Sequence, residues 1–281
     1  MLNDRNFDDL AHKFAKNIYS SEKGDIRQII VWQDVEQILN NLGHQNRSLL
    51  VLDAGGGLAQ ISQKIAQFGS QVDHEHQIVL CDLSSEMLKL AQEDVHKNGL
   101  SSQFRFIHSP IQNLHEQFDE KVDFILFHAV MEWLENPQEV LNCLLNKLKP
   151  GGIASIMFYN QHGLVMKNVT CGNIPHILKG MPHRKRFKLQ PQQGLWPEDV
   201  YQWIESQGFS ICGKSGIRCF NDYIGNQQYM GDYEPEDVLA LEQKYCRTEP
   251  YLSLGRYIHV WAQKPLEDES LDLSKTESHE K

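Results

Sequence analysis

The residues best equipped for chemistry in this 281-residue chain begin with the turn Leu52-Asp53-Ala54-Gly55-Gly56-Gly57. A glycine-rich turn between a strand and a helix lets the backbone approach a ligand closely. NAD, FAD and S-adenosylmethionine all exploit that geometry. About thirty residues on, the next apolar run closes with Asp82, where a carboxylate would hold a ribose hydroxyl pair. The turn lacks the G-x-G-x-x-G spacing, because Leu58, Ala59 and Gln60 follow Gly57. A pyrophosphate needs the third glycine for close helix packing, whereas a cofactor without phosphates does not. Asp53 would repel a pyrophosphate but attract a sulfonium-bearing amino acid. The balance favours S-adenosylmethionine.

Other candidates follow later apolar runs. Ile111 and Gln112 sit where the face and edge of an adenine would be clasped, and His128 follows a fourth run. A histidine in that place is otherwise a satisfied core residue. Arg27, upstream, is a candidate cap for the methionine carboxylate; its plain alternative is a surface arginine.

The elements that must carry these residues read as βαβ units. Strands are predicted at Ser48–Asp53, Gln77–Cys81, Gln103–His108, Val122–Phe127 and Ile153–Phe158. Helices are predicted at Ala59–Phe68, from Ser84 to Asn98, and from Pro137 to Leu148, the last ended by Lys149-Pro150-Gly151-Gly152. A helix over Asp25–Leu42 precedes them; a helix over Trp196–Gln207 and strands over Phe209–Phe220 and Gly255–Gln263 follow. The pattern predicts an α/β fold with a doubly wound, mostly parallel, seven-stranded sheet of Rossmann-like type. Ligands of such sheets bind beyond the carboxyl ends of the strands. One domain over 1–265 is expected: N-terminal helices at 4–42, a cofactor-binding core at 48–158, and substrate-binding insertions at 160–195 and 221–254. Both insertions read as long loops.

Net charge is −10, which taken alone argues against a nucleic-acid partner. Its distribution argues otherwise. Residues 266–281 hold six acids against two lysines and read as a disordered, solvating tail. No Asp or Glu occurs between Glu139 and Glu198, an interval holding Lys179, Arg184, Lys185, Arg186 and Lys188. A solvated basic loop is the plain alternative. The six cysteines form no C-x-x-C pair, so neither a disulfide framework nor a metal site is expected. With no signal peptide or membrane-spanning run visible, the expected compartment is the cytoplasm.

Several stretches are much more specific than the glycine turn: DFILFHAVMEW (123–133), MFYNQHG (157–163) and YCRTEPYLSLGRYIHV (245–260). Together with DRNFDD (4–9), VLDAGGG (51–57), LCDLS (80–84) and Gly216–Arg218, they resemble the bacterial tRNA 5-carboxymethoxyuridine methyltransferase family from Asp4 to about Lys264. The segment Gly69–Gln77 looks longer than that family's usual turn. The resemblance implies methyl transfer from S-adenosylmethionine to a carboxylate of the wobble uridine. It also implies cofactor contacts at Arg27, Gly55, Gly56, Asp82, Ile111, Gln112 and His128.

A carboxylate is already ionised near neutral pH, so no general base is required. Groups that hold the anion in line are required instead. Tyr159 and Asn160 are the first candidates for that task, then Arg256 and Tyr257, with Arg247 and His162 behind. The basic residues Lys179, Arg184, Lys185, Arg186 and Lys188 become candidates for anticodon-stem phosphates. Phe187 and Tyr201 are candidates to stack on an unpaired base. The alternatives are a small-molecule carboxyl or N-methyltransferase with the same cofactor site, and a non-catalytic RNA-binding protein.

Overall fold

Ile26, Ile30, Val31, Val35, Ile38 and Leu39 recur three or four residues apart and form the buried stripe of α1 (Glu22–Gly43). The computed structural model describes residues 6–8, 11, 22–43, 47–72, 74–182, 191, 193–224 and 233–266. Within them, the apolar runs become β1 (Leu50–Ala54), β2 (Gln77–Asp82), β3 (Phe104–His108), β4 (Val122–His128) and β5 (Leu148–Tyr159). The helices between them are α2 (Gln60–Gln71), α3 (Ser85–Lys97) and α4 (Pro137–Asn146). Ser84 caps α3 by accepting from the Met87 amide at 3.2 Å.

The sheet order is β3-β2-β1-β4-β5-β7-β6, with β6 at Ser210–Ile217 and β7 at Tyr257–Gln263. Strands β1 to β5 pair in parallel, while β7 runs antiparallel to both of its neighbours. Chain order reverses between β1 and β4, so a cleft opens at their carboxyl ends. One buried cluster lies on each face of the sheet.

Three expectations change. Lys149–Gly152, expected to end a helix, lies within β5, which pairs with β4 from Leu148 and is irregular near Phe124. The segment 160–195 is not one long loop: it contains α5 (Gln161–Thr170) and α6 (Ile174–Leu178) before α7 (Pro197–Ser206). Likewise, 221–254 contains α8 (Asn221–Ile224) and α9 (Pro235–Tyr245), the latter started by a Glu234/Asp237 capping box.

Candidate active site

The cleft above β1 and β4 encloses about 1210 Å³ including its open mouth, and most of the expected cofactor contacts meet there. Its walls carry Arg27 from α1, Asp53, Gly55 and Gly56 from the turn after β1, Asp82 from β2, Ile111 and Gln112 after β3, and His128 from β4. Gly55 has φ +74°, in the left-handed region that favours glycine. A Cβ at Gly56 would lie 2.6 Å from the Asp53 carboxylate and 2.8 Å from Leu80, so the turn has no room for a side chain. Asp82 accepts from the Gly57 amide at 2.9 Å and the Ser84 amide at 2.8 Å. Two lone-pair sites thus stay available on its oxygens.

Asp53 lies beneath the turn. Burial pushes its carboxyl up to about 7, against a 2.7 Å bond from the Ser62 hydroxyl and assisted by the charge of Asp82. Burial raises Asp82 as well. Two carboxylates and one arginine therefore line the cleft, an electrostatic setting hostile to a diphosphate. A ligand with a sulfonium, an ammonium, a ribose diol and a carboxylate fits it, and S-adenosylmethionine has all four. A test follows from the sign of the Asp53 shift. The group is neutral below about pH 7 and anionic above it, and the anion attracts the sulfonium. Affinity for S-adenosylmethionine should rise between about pH 6 and about pH 8, several-fold more than affinity for S-adenosylhomocysteine, which lacks that charge. Calorimetry of wild type and Asp53→Asn checks this: parallel pH profiles for the two ligands would refute it.

Sequence reasoning assigned no site role to the N-terminal segment. Phe7 lines the cleft and stands edge-on to Trp133 at 4.9 Å. Asp8 accepts from the Ser84 hydroxyl at 2.6 Å and from the Glu86 amide at 3.3 Å, which ties this segment to the start of α3. The motif DRNFDD had been visible as a family-like stretch, but nothing local in it showed that it crosses to β2.

Beside the cleft, past the ends of β5 and β7, lies a second cluster. Tyr159 and Tyr257 face each other across the strand pair at 5.3 Å. The Arg256 guanidinium lies 4.8 Å from the Tyr159 ring, and Arg218 lies 5.5 Å from the Tyr257 ring. Buried Asp222 stands between the arginines, 3.2 Å from Arg218 Nη2 and 3.4 Å from Arg256 Nε. Lys23 approaches the same carboxylate at 3.6 Å, and Lys167 donates to the Asp222 carbonyl. Cations thus outnumber the carboxylate they surround. Arg256 Nη1 and Arg218 Nε are buried without a hydrogen-bond acceptor, and Arg256 Nε has only its 3.4 Å ion pair with Asp222. Burial raises the Tyr159 phenol to about 12, so it can donate a hydrogen bond but does not ionise near neutrality. Glu132, also buried, is pushed up to about 7 by desolvation and feels the charge of Arg27, as does Tyr257. Met157, two residues before Tyr159 on β5, lines the cofactor cleft, so the arginine cluster lies beside it. Arg218, Asp222 and Glu132 were not picked as site residues from the sequence. Arg218 sat in a family-like stretch, but its left-handed φ of 60° and the approach of Asp222 are tertiary facts.

Four candidates take framework partners. Asn160 is fully buried, and its side chain serves the framework: the amide donates to Ser253 and Gly255 carbonyls at 2.9 and 2.7 Å, and Oδ1 accepts from the His162 amide at the start of α5. Both amide protons are thereby used, and none of the side chain reaches the solvent. Tyr201 packs against the core with Lys214 4.5 Å from its ring, so it does not offer a face for base stacking. Arg247 and His162 also point elsewhere, to Asp34 and Glu198 respectively. Of the basic run, Lys179 is exposed at the end of α6, while Arg184, Lys185, Arg186, Phe187 and Lys188 lie outside the described residues. Among the described residues no His/Cys/Asp/Glu group is arranged to hold a metal, and no helix is long and apolar enough to cross a membrane.

The strand order and this cleft define a methyltransferase of the Rossmann-like, seven-stranded class, and a methyltransferase-domain family matches residues 45–208. A solved magnesium protoporphyrin IX methyltransferase from Synechocystis PCC 6803, with bound SAH, shares the fold at a TM-score of 0.56 and 16% identity, over 92% of this chain and 95% of that one. The ubiquinone/menaquinone biosynthesis C-methyltransferase of Idiomarina loihiensis is 28% identical over 116 residues, 41% of this chain and 44% of that one. The tRNA 5-carboxymethoxyuridine methyltransferase of Escherichia coli (strain K12) is 46% identical over 264 residues, 94% of this chain and 98% of the relative. This chain belongs to that family.

Proposed function

We propose that the protein methylates the carboxylate of 5-carboxymethoxyuridine at the wobble position of tRNA, giving the methyl ester. The two buried guanidinium nitrogens without acceptors, Arg256 Nη1 and Arg218 Nε, carry this reading. A buried donor left unpaired costs about 1–3 kcal/mol, so a site that gathers two of them on two arginines beside a cofactor cleft calls for an anionic ligand. A substrate carboxylate supplies the missing acceptors.

S-adenosylmethionine, when bound, supplies an electrophilic methyl, which a carboxylate oxygen takes as the C–S electron pair passes to sulfur. No proton moves. Arg256 and Arg218 hold the carboxylate, and Tyr159 and Tyr257 wall the approach. Asp222 shares both arginines and so tempers their charge, which would otherwise blunt the nucleophile. Asp82 holds the ribose, Ile111 and Gln112 flank the adenine, and Arg27 faces the methionine carboxylate. Helices α5, α6 and α9 receive the anticodon stem-loop, with Lys179 on its phosphates and Arg184, Lys185, Arg186 and Lys188 as the further basic candidates. The working compartment is the cytoplasm, where tRNA is modified.

The test uses labelled S-adenosylmethionine and tRNA from cells lacking the protein. A base-labile methyl ester is expected only on tRNA that carries 5-carboxymethoxyuridine. Equal labelling of free small carboxylic acids would sink the assignment.

A further inference from the structure

A second line of polar groups starts at His128 in the cofactor cleft and runs away from it through the interior. His128 Nε2 lies 2.8 Å from Ser155 Oγ, and that oxygen lies 2.7 Å from His259 Nε2. His259 Nδ1 lies 2.8 Å from Asp34 Oδ2. Arg247 closes the line, with Nε 3.0 Å from Asp34 Oδ1. Ser155, His259 and Asp34 are fully buried and come from three elements, β5, β7 and α1. Nothing in the methyl-transfer chemistry requires them.

The line has a direction fixed by proton counting. A serine hydroxyl has one proton to give, so of two imidazole nitrogens bonded to it one must donate and the other accept. Asp34 can only accept, because its carboxyl is held below the usual range: burial raises it, and the hydrogen bonds from His259 and the Ser215 hydroxyl, with the Arg247 charge, outweigh that. His259 therefore keeps its proton on Nδ1, facing Asp34. Arg247 already balances the aspartate charge, so a second proton on His259 would leave a surplus buried cation. His259 Nε2 then accepts from Ser155, and Ser155 accepts from His128 Nε2–H.

We propose that Asp34, His259 and Ser155 are positioning residues that lock His128 in its Nε2–H tautomer, leaving Nδ1 as an acceptor for an N–H or O–H group of the bound cofactor. A neutral imidazole otherwise divides between two tautomers, and the wrong one would present a donor to a donor. Burial, with the nearby charge of Arg27, holds His128 well below the usual histidine range, consistent with a neutral ring. The relay also ties the cleft to Arg247, in the segment after α9. This inference rests on the cofactor reading given above.

Long-range nitrogen–proton NMR of the full chain, labelled at histidine, reads the tautomer directly, and calorimetry reads S-adenosylhomocysteine affinity. Wild type should show His128 as Nε2–H. Asp34→Asn offers an amide donor to His259 Nδ1, reversing every bond in the line, so His128 should appear as Nδ1–H with affinity lowered about ten-fold, one ligand hydrogen bond. Should Asp34→Asn fail to fold, Ser155→Ala breaks the line without touching Asp34 and should give mixed tautomers and a similar loss. Ser215→Ala touches Asp34 off the line and should leave both readouts unchanged. A His128 that is Nδ1–H in wild type, or unmoved in Ser155→Ala with affinity intact, overturns the relay. Absence of S-adenosylhomocysteine binding to wild type would overturn the cofactor reading instead.

Discussion

Arg256→Met is expected to lower kcat/KM for modified tRNA by about 100- to 1000-fold while leaving S-adenosylhomocysteine affinity within about two-fold. The methionine keeps much of the apolar stem and removes the guanidinium that lies over the Tyr159 ring. Arg256 holds one of the two buried nitrogens without acceptors, so its loss withdraws half of the anion seat. Asp222 keeps Arg218 and Lys23, so the framework should persist and thermal unfolding should shift little. Arg256→Lys restores charge without the planar fork and should recover part of the loss. The substrate must arrive as an anion for any of this to matter. An amide-bearing tRNA nucleoside should therefore bind Arg256→Met as well as wild type. A variant with wild-type turnover would remove Arg256 from the seat.

Asp82→Ala should weaken both S-adenosylmethionine and S-adenosylhomocysteine at least about 100-fold, because two charge-assisted bonds to a ribose diol contribute about 1.5–3 kcal/mol each. The carboxylate also accepts the Gly57 and Ser84 amides, which fixes the glycine turn against the start of α3. The loss should consequently include a looser turn, visible as faster amide exchange at Gly57. Equal weakening of both ligands separates this effect from that of Asp53, whose contribution acts on the sulfonium. Calorimetry distinguishes the two; unchanged binding by Asp82→Ala would place the ribose elsewhere.

Much of the cleft was legible because its parts are local. Ile78–Cys81 is buried on both faces and so reads as an unbroken apolar run, and in such sheets the residue after the run faces the ligand. Asp82 and His128 followed from that rule alone. Illegible parts depend on partners far away in sequence. Asn160 looked like a cleft residue by position, but its hydrogen bonds reach 93 and 95 residues ahead. Asp34 meets His259 across 225 residues, and no pattern around either announces the other. Segment 160–195 read as loop because Gly, Pro and basic residues obscure periodicity, and helix α5 takes its start from the side chain of Asn160. Buried Glu242 was equally silent: it accepts the amides of Cys219, Phe220 and Asn221, holding the bend that presents Arg218 and Asp222.

Strand β7 fills an interior slot between β5 and β6, antiparallel to both. During synthesis, therefore, β5 and β6 emerge well before the segment that joins them, each with an open edge able to recruit another chain. Residues 257–263 seal both edges at once, and the same act brings Arg256, Tyr257 and His259 to their places. Completion of the fold and completion of the anion seat are thus a single late event. A nascent chain that has not yet delivered this strand holds a nearly finished glycine turn and no means of gripping a carboxylate.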